Sequence, residues 1–197
     1  ANVAQPTATP NSTTTYSLVV TKASTGCSSV ADTLVVSVDT ATPTANAGSD
    51  GAIDCTNSSV TLGSSAVSGY SYQWTPSTGL SAANVAQPTA TPNSTTTYSL
   101  VITKASTGCS SVADTVVVTV DNATPTANAG SDATIDCNTT SVSIGASAVS
   151  GFTYAWTPTT GLSSSTSSQP TATPTSTTTY SLVATKASTG CSSAADT

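Results

Sequence analysis

The chain has no Glu, Arg, His or Met, a single Phe, and only 3 Lys against 9 Asp in 197 residues. Each absence excludes a chemistry. Without His, no imidazole base stands ready to activate the abundant Ser and Thr hydroxyls, so serine-type nucleophilic catalysis lacks its partner. Without Glu, and with no Asp beside the aromatic strand described below, paired-carboxylate glycoside hydrolysis lacks its acid and base. The formal charge of −6 argues against binding a phosphate backbone, which needs clustered Lys and Arg. No apolar run approaches the roughly 20 residues of a membrane span. With neither a signal peptide nor an initiator Met, the chain reads as a processed product or a window on a longer protein. The expectation is therefore a non-enzyme with no nucleic-acid partner and no membrane span.

What is present is small and polar. Roughly four residues in ten are Ser or Thr. Disordered chains share that polarity but lack β-branched and aromatic residues, because they cannot bury enough apolar surface to offset chain entropy. Here runs such as "TYSLVITK" and "DTVVVTVD" are rich in them. Thr-rich, alternating segments of this kind suit a pleated, half-solvated sheet, and the fold class expected is all-β.

The chain repeats itself. Gln5, Gln87 and Gln169 recur with a constant period of 82, and Trp74 and Trp156 keep the same interval. Cys27, Cys109 and Cys191 form one series with that period and Cys55 and Cys137 another. The stretch "TKASTGCSSVADT" at 21–33 recurs unchanged at 103–115 and returns as "TKASTGCSSAADT" at 185–197. This is a tandem array. The Pro-containing "ATPTANAG" stretches place the joints at about Thr42 and Thr124. Residues 1–41 are then the C-terminal part of one unit, 42–123 a complete unit, and 124–197 a unit without its last strand.

Within the complete unit, alternation and turn residues predict about seven short strands, near 45–46, 52–55, 60–66, 70–75, 87–91, 97–104 and 115–120. A Gly turn precedes a strand that carries Tyr70, Tyr72 and Trp74 on one face. Seven strands in a unit of this length, with Trp on the third or fourth, fit an immunoglobulin-like sandwich.

These motifs carry a family likeness. "ANAGSD" at 45–50 and 127–132, the Y-x-W-x-P-x-x-G-L run at Tyr72–Leu80 and Tyr154–Leu162, and the "TTTYSL" strands resemble the PKD-type, immunoglobulin-like repeats strung in tandem in giant surface adhesins of gliding and other Bacteroidota. The resemblance covers the whole unit. It implies one PKD-type sandwich per period in a bacterial cell-surface or secreted filament, acting as spacer, stalk and display scaffold. Where the common signature has an acidic Gly-Asp-Gly turn after the Trp, this chain has "TPSTG" and "TPTTG", so no acidic ligand contact is carried over. The O-glycosylation pattern of that group, Asp followed by Ser or Thr and then an apolar residue or Thr, is matched at Thr33, Thr40 and Thr115. Sequons for N-linked glycans occur at Asn11, Asn57, Asn93, Asn122 and Asn138.

Five cysteines in a secreted-type composition suggest disulfides. Two pairings are open, within units (Cys55 with Cys109, Cys137 with Cys191) or between neighbours in sequence (Cys27 with Cys55, Cys109 with Cys137). Loop entropy differs by only about half a kcal/mol between them. Reach favours the first, because the second would bring Cys27 back past its own last strand, about 20 Å at ~3.3 Å per residue. The within-unit pairing also requires a break in the chain at "AGSD", which Gly48 could supply.

Lys22, Lys104 and Lys186 are the only cations. A buried Lys beside Asp or Asn would suggest an isopeptide crosslink, and a solvated one the blunting of a sheet edge. No resident cofactor is expected. Asp50, Asp54, Asp132 and Asp136 just past the joints, with Asp39 and Asp121 just before, form a candidate calcium site, and turn chemistry accounts for the same residues. The expected partners are neighbouring units, identical chains in a filament, and surface glycans or other cells. The alternative function is a carbohydrate-binding module that stacks sugar on Tyr72 and Trp74, and the exposure of Trp74 discriminates the two.

Overall fold

The structure is a computed structural model and describes residues 4–197. All of its regular elements among these are strands. The middle copy contains β3 (Gly51–Asp54), β4 (Val60–Thr61), β5 (Tyr70–Thr75), β6 (Thr89–Ala90), β7 (Thr96–Lys104) and β8 (Asp114–Asp121). Before it lie β1 (Thr14–Leu18) and β2 (Asp32–Val36). After it come β9 (Val142–Ser143), β10 (Phe152–Thr157), β11 (Thr171–Ala172) and β12 (Ser181–Lys186).

Alternation decides which side chains point inward. In β7 Tyr98 and Leu100 are buried, and in β8 Val116 and Val118, while their neighbours face outward or sit half-buried. These strands belong to a four-stranded sheet ordered β3-β8-β7-β5, in which β3 runs parallel to β8 and the other neighbours are antiparallel. The short pair β4-β6 supplies the second layer. Leu62 and Ala90 from that layer share one core with Ile53, Trp74, Tyr98, Leu100, Val116 and Val118. Two sheets around one core in this order make an immunoglobulin-like sandwich.

Trp74 is 1% exposed, and its Nε1 donates to the Val85 carbonyl at 2.9 Å, so the ring is buried with its one polar atom satisfied. Gly63 makes room for it. A Cβ there would lie 2.1 Å from the Ala86 carbonyl oxygen, and the backbone holds φ at +77°. The Tyr98 hydroxyl donates to the Thr78 carbonyl at 2.9 Å, and burial pushes its pKa up.

Three expected strands are shorter or missing. Residues 45–46 form no ladder. Instead the Ala47 carbonyl accepts a hydrogen bond from Gly63 N while its N–H donates to Asp114 Oδ2, and Gly48, with φ at +89°, passes the chain from the smaller sheet to β3. The expected strand over 60–66 is reduced to Val60–Thr61, because Gly63 turns the chain away, and that over 87–91 to Thr89–Ala90.

The flanking copies repeat parts of this arrangement. Residues 14–36 repeat the β7–β8 hairpin as β1 and β2, yet Leu18 and Leu34 are 61% and 65% exposed, whereas their equivalents Leu100 and Val116 are 2% and 0%. In the third copy β10 pairs with β12 and β9 with β11 in the same registers, around Trp156, Leu182 and Ala184. Of the equivalent of β8 only Asp196 takes part, bridging Leu182, and residues 133–136, the equivalent of β3, form no ladder. A cavity of about 820 Å³ lined by Ile135, Trp156 and Tyr180 lies beside this segment.

Candidate functional site

The thrice-repeated stretch forms the same closed turn in every copy. Lys22, Lys104 and Lys186 each donate their backbone N–H to the cysteine carbonyl five positions on, at 2.9, 2.9 and 2.8 Å. Glycines 26, 108 and 190 hold φ between +68° and +73°, donating back to the lysine carbonyl at 2.8 Å in all three. The turn is thus built by its own residues, before any neighbour touches it.

What differs is what the turn meets. Lys104 Nζ forms an ion pair with Asp39, which follows the last strand of the preceding copy. One period on, Lys186 Nζ pairs with Asp121 at 2.5 Å. Hydrogen bonding from Lys104 holds the Asp39 carboxyl below the usual carboxylate range and raises the Lys104 ammonium above its own. Asp121 is lowered chiefly by its bond from Lys186. Both lysines are partly solvated, with side chains 27% and 30% exposed, so neither is the buried amine that an isopeptide crosslink needs.

The second contact is covalent. Cys55 is bonded to Cys191 across the joint, with Cα atoms 5.0 Å apart and a sequence separation of 136. This corrects the within-unit expectation for Cys55, Cys109, Cys137 and Cys191, since among the described residues Cys109, Cys137 and Cys27 carry free thiols. The pairing between sequence neighbours fails as well. The reason is the direction of β3. Its parallel register sets Asp54 beside Asp121, so Cys55 emerges at the end of β8, while Cys109 lies ahead of that strand's start. About seven steps of ~3.3 Å, some 23 Å, separate the two poles. The break at Gly48 does occur, but it shifts the chain between sheets and does not turn β3 around.

Burial of the turn differs among the three copies. Cys27 is exposed, Cys109 is half-buried beside the Asp39 contact, and Cys191 is fully buried. A Cβ at Gly190 would meet Thr56 Cγ2 at 2.5 Å, whereas one at Gly108 or Gly26 would meet nothing.

The remaining aspartates are engaged by the backbone. Asp54 Oδ1 accepts from Thr56 N, Asn57 N and the Thr56 hydroxyl, and Asp136 Oδ1 accepts from Asn138 N and Thr139 N, which lowers both carboxyls. Asp50 Oδ1 takes Val117 N at 2.8 Å, tying β3 to β8. Asp132 is an exposed residue on the rim of the third-copy cavity. Among the described residues, no three His, Cys, Asp or Glu side chains converge as metal ligands would. Asp114 and Asp196, which no sequence motif above singles out, accept from Ala47 N and Ala129 N at 2.7 and 2.8 Å and so anchor the start of each copy. Their recurrence one period apart was the signal available. Thr33, Thr40 and Thr115 are all solvent-exposed. Tyr72 is half-buried, with its hydroxyl accepting from Val67 N, and Trp74, buried in the core, offers no exposed face on which sugar could stack.

No family model and no curated protein matches the chain. Among solved structures it is similar to the chicken CNTN1 FN1–FN3 domains, 12% identical over 93% of this chain and 75% of that one, with a TM-score of 0.36. It is also similar to the human Desmocollin-1 ectodomain, 11% identical over 88% of this chain, with a TM-score of 0.34. The chain spans 39% of the length of that ectodomain. The immunoglobulin-like assignment rests on the sheet order and shared core of the middle copy.

Proposed function

We propose that the chain is a structural array from an extracellular adhesin or surface filament, of the kind its motifs resemble in Bacteroidota, and that it serves as a stiffened spacer and display scaffold. The observation that carries this reading is the clasp between copies: one preformed turn holding the preceding copy by an ion pair and a disulfide. A disulfide persists in oxidising surroundings, in keeping with an extracellular site. Domains joined only by a linker move relative to one another by default, and a covalent bond beside the linker removes that freedom. Nothing in the clasp positions a nucleophile with a base. Its partners are the neighbouring copies and, in a filament, identical chains.

Small-angle scattering tests the reading. A compact globule of this length has a radius of gyration of about 16 Å. A spacer should give a clearly larger value in oxidising buffer, and a radius matching the globule would overturn it.

A further inference from the structure

We propose that Cys27, Cys109 and Cys137 are half-clasps, each shaped to bond a cysteine of an adjoining copy, so that in a longer array every copy is disulfide-bonded both to the one before and to the one after. The inference rests on the spacer reading and extends it from one joint to all of them.

Three observations support it. Cys109 occupies the position of Cys191, and Cys137 that of Cys55, each displaced by one period. The turn carrying Cys109 is already docked through Lys104 and Asp39, as the turn carrying Cys191 is through Lys186 and Asp121. Cys109 is also intermediate in burial, between exposed Cys27 and enclosed Cys191.

Each bond forms when two thiols lose two protons and two electrons to a disulfide oxidant, which is itself reduced to two thiols. Because the bond's sequence separation of 136 exceeds one period, successive bonds overlap and no residue lies outside every loop. Along the shortest covalent route, the only backbone between one bond and the next runs as from Cys27 to Cys55, about a sixth of the two periods that each step covers. Under tension such an array can lengthen only by those short stretches until a disulfide is broken.

The test duplicates residues 42–123 in tandem within the full chain and folds it in a mixture of oxidised and reduced glutathione. The lengthened chain has seven cysteines, two more than the 5 of the original. Labelling with a maleimide in denaturant, without reductant, should count three free thiols in both chains, meaning one bond in the original and two in the longer one. Five free thiols in the longer chain, or one, would overturn the proposal, the latter by showing pairing within units or between sequence neighbours. The original chain separates the two readings. If peptide mapping there lacks the Cys55–Cys191 bond, the clasp itself fails. If that bond is present while the longer chain gains no second one, only the extension falls.

Discussion

Replacing Cys55 with Ser opens a loop whose size can be read directly. With the bond intact, force applied to the two ends can straighten only the segments outside it, residues 1–55 and 191–197, while the loop of sequence separation 136 stays behind the crosslink. At 3.3–3.6 Å per extended residue, the hidden length is about 450–490 Å. A single-molecule force-extension measurement on the full chain, held at both termini, should show the Cys55→Ser variant reaching a contour length longer by that amount. The unmodified chain should show the same gain after treatment with a reductant. The loop-closure estimate for a ring of this size is about 5 kcal/mol of stabilisation, so the variant should also unfold at lower urea. Equal contour lengths for the two proteins would refute the bond between copies. A gain near two fifths of the expected one would point to the shorter Cys55–Cys109 loop within a unit.

Two further outcomes follow from the core and from the ion pairs. Trp74→Ala removes a fully buried indole from the centre of the middle sandwich and should cost about 3–5 kcal/mol in urea unfolding followed by circular dichroism, whereas a cost below about 1 kcal/mol would mean the ring is not packed between the sheets. Asp39, Asp54, Asp121 and Asp136 are lowered in the folded chain, so their contribution is present above the ordinary carboxylate pKa and is lost as pH falls below about 4. Lys104 and Tyr98 are raised, so theirs is present at lower pH and lost as pH climbs past about 10. The unfolding midpoint should therefore be flat between about pH 5 and 9 and fall on both sides, and a slope within that window would contradict these assignments.

The sandwich was legible because alternation speaks directly of burial. The pattern in "TTYSLVITK" and "DTVVVTVD" marks Tyr98, Leu100, Val116 and Val118 as a core face, and the spacing of Trp74 from the Gly turn places it on the same face. The site was less legible. Its residues were all singled out, Lys104, Asp39, Asp121, Cys55 and Cys191 among them, but as separate features. The pairing of Cys55 depends on β3 lying parallel to β8, a register held by backbone hydrogen bonds and by Asp50 Oδ1 accepting from Val117 N, and no side-chain pattern announces strand direction. Reach measured along one unit favoured Cys109 for Cys55, because the true partner belongs to the next copy.

The parallel pairing of β3 with β8 also bears on synthesis. Cys55 leaves the ribosome well before Cys191, and both Cys109 and Cys137 emerge in the interval. Were the choice left to timing, the earlier thiols would be trapped first. Domains fold as units as the chain is made, N-terminal first. Once the middle copy closes, its sheet carries Cys55 to one end and leaves Cys109 at the other, so the premature partner is withdrawn by the same event that completes the fold. The finished sheet thus acts as a sorting device, holding the thiol in reserve until the copy still being made arrives.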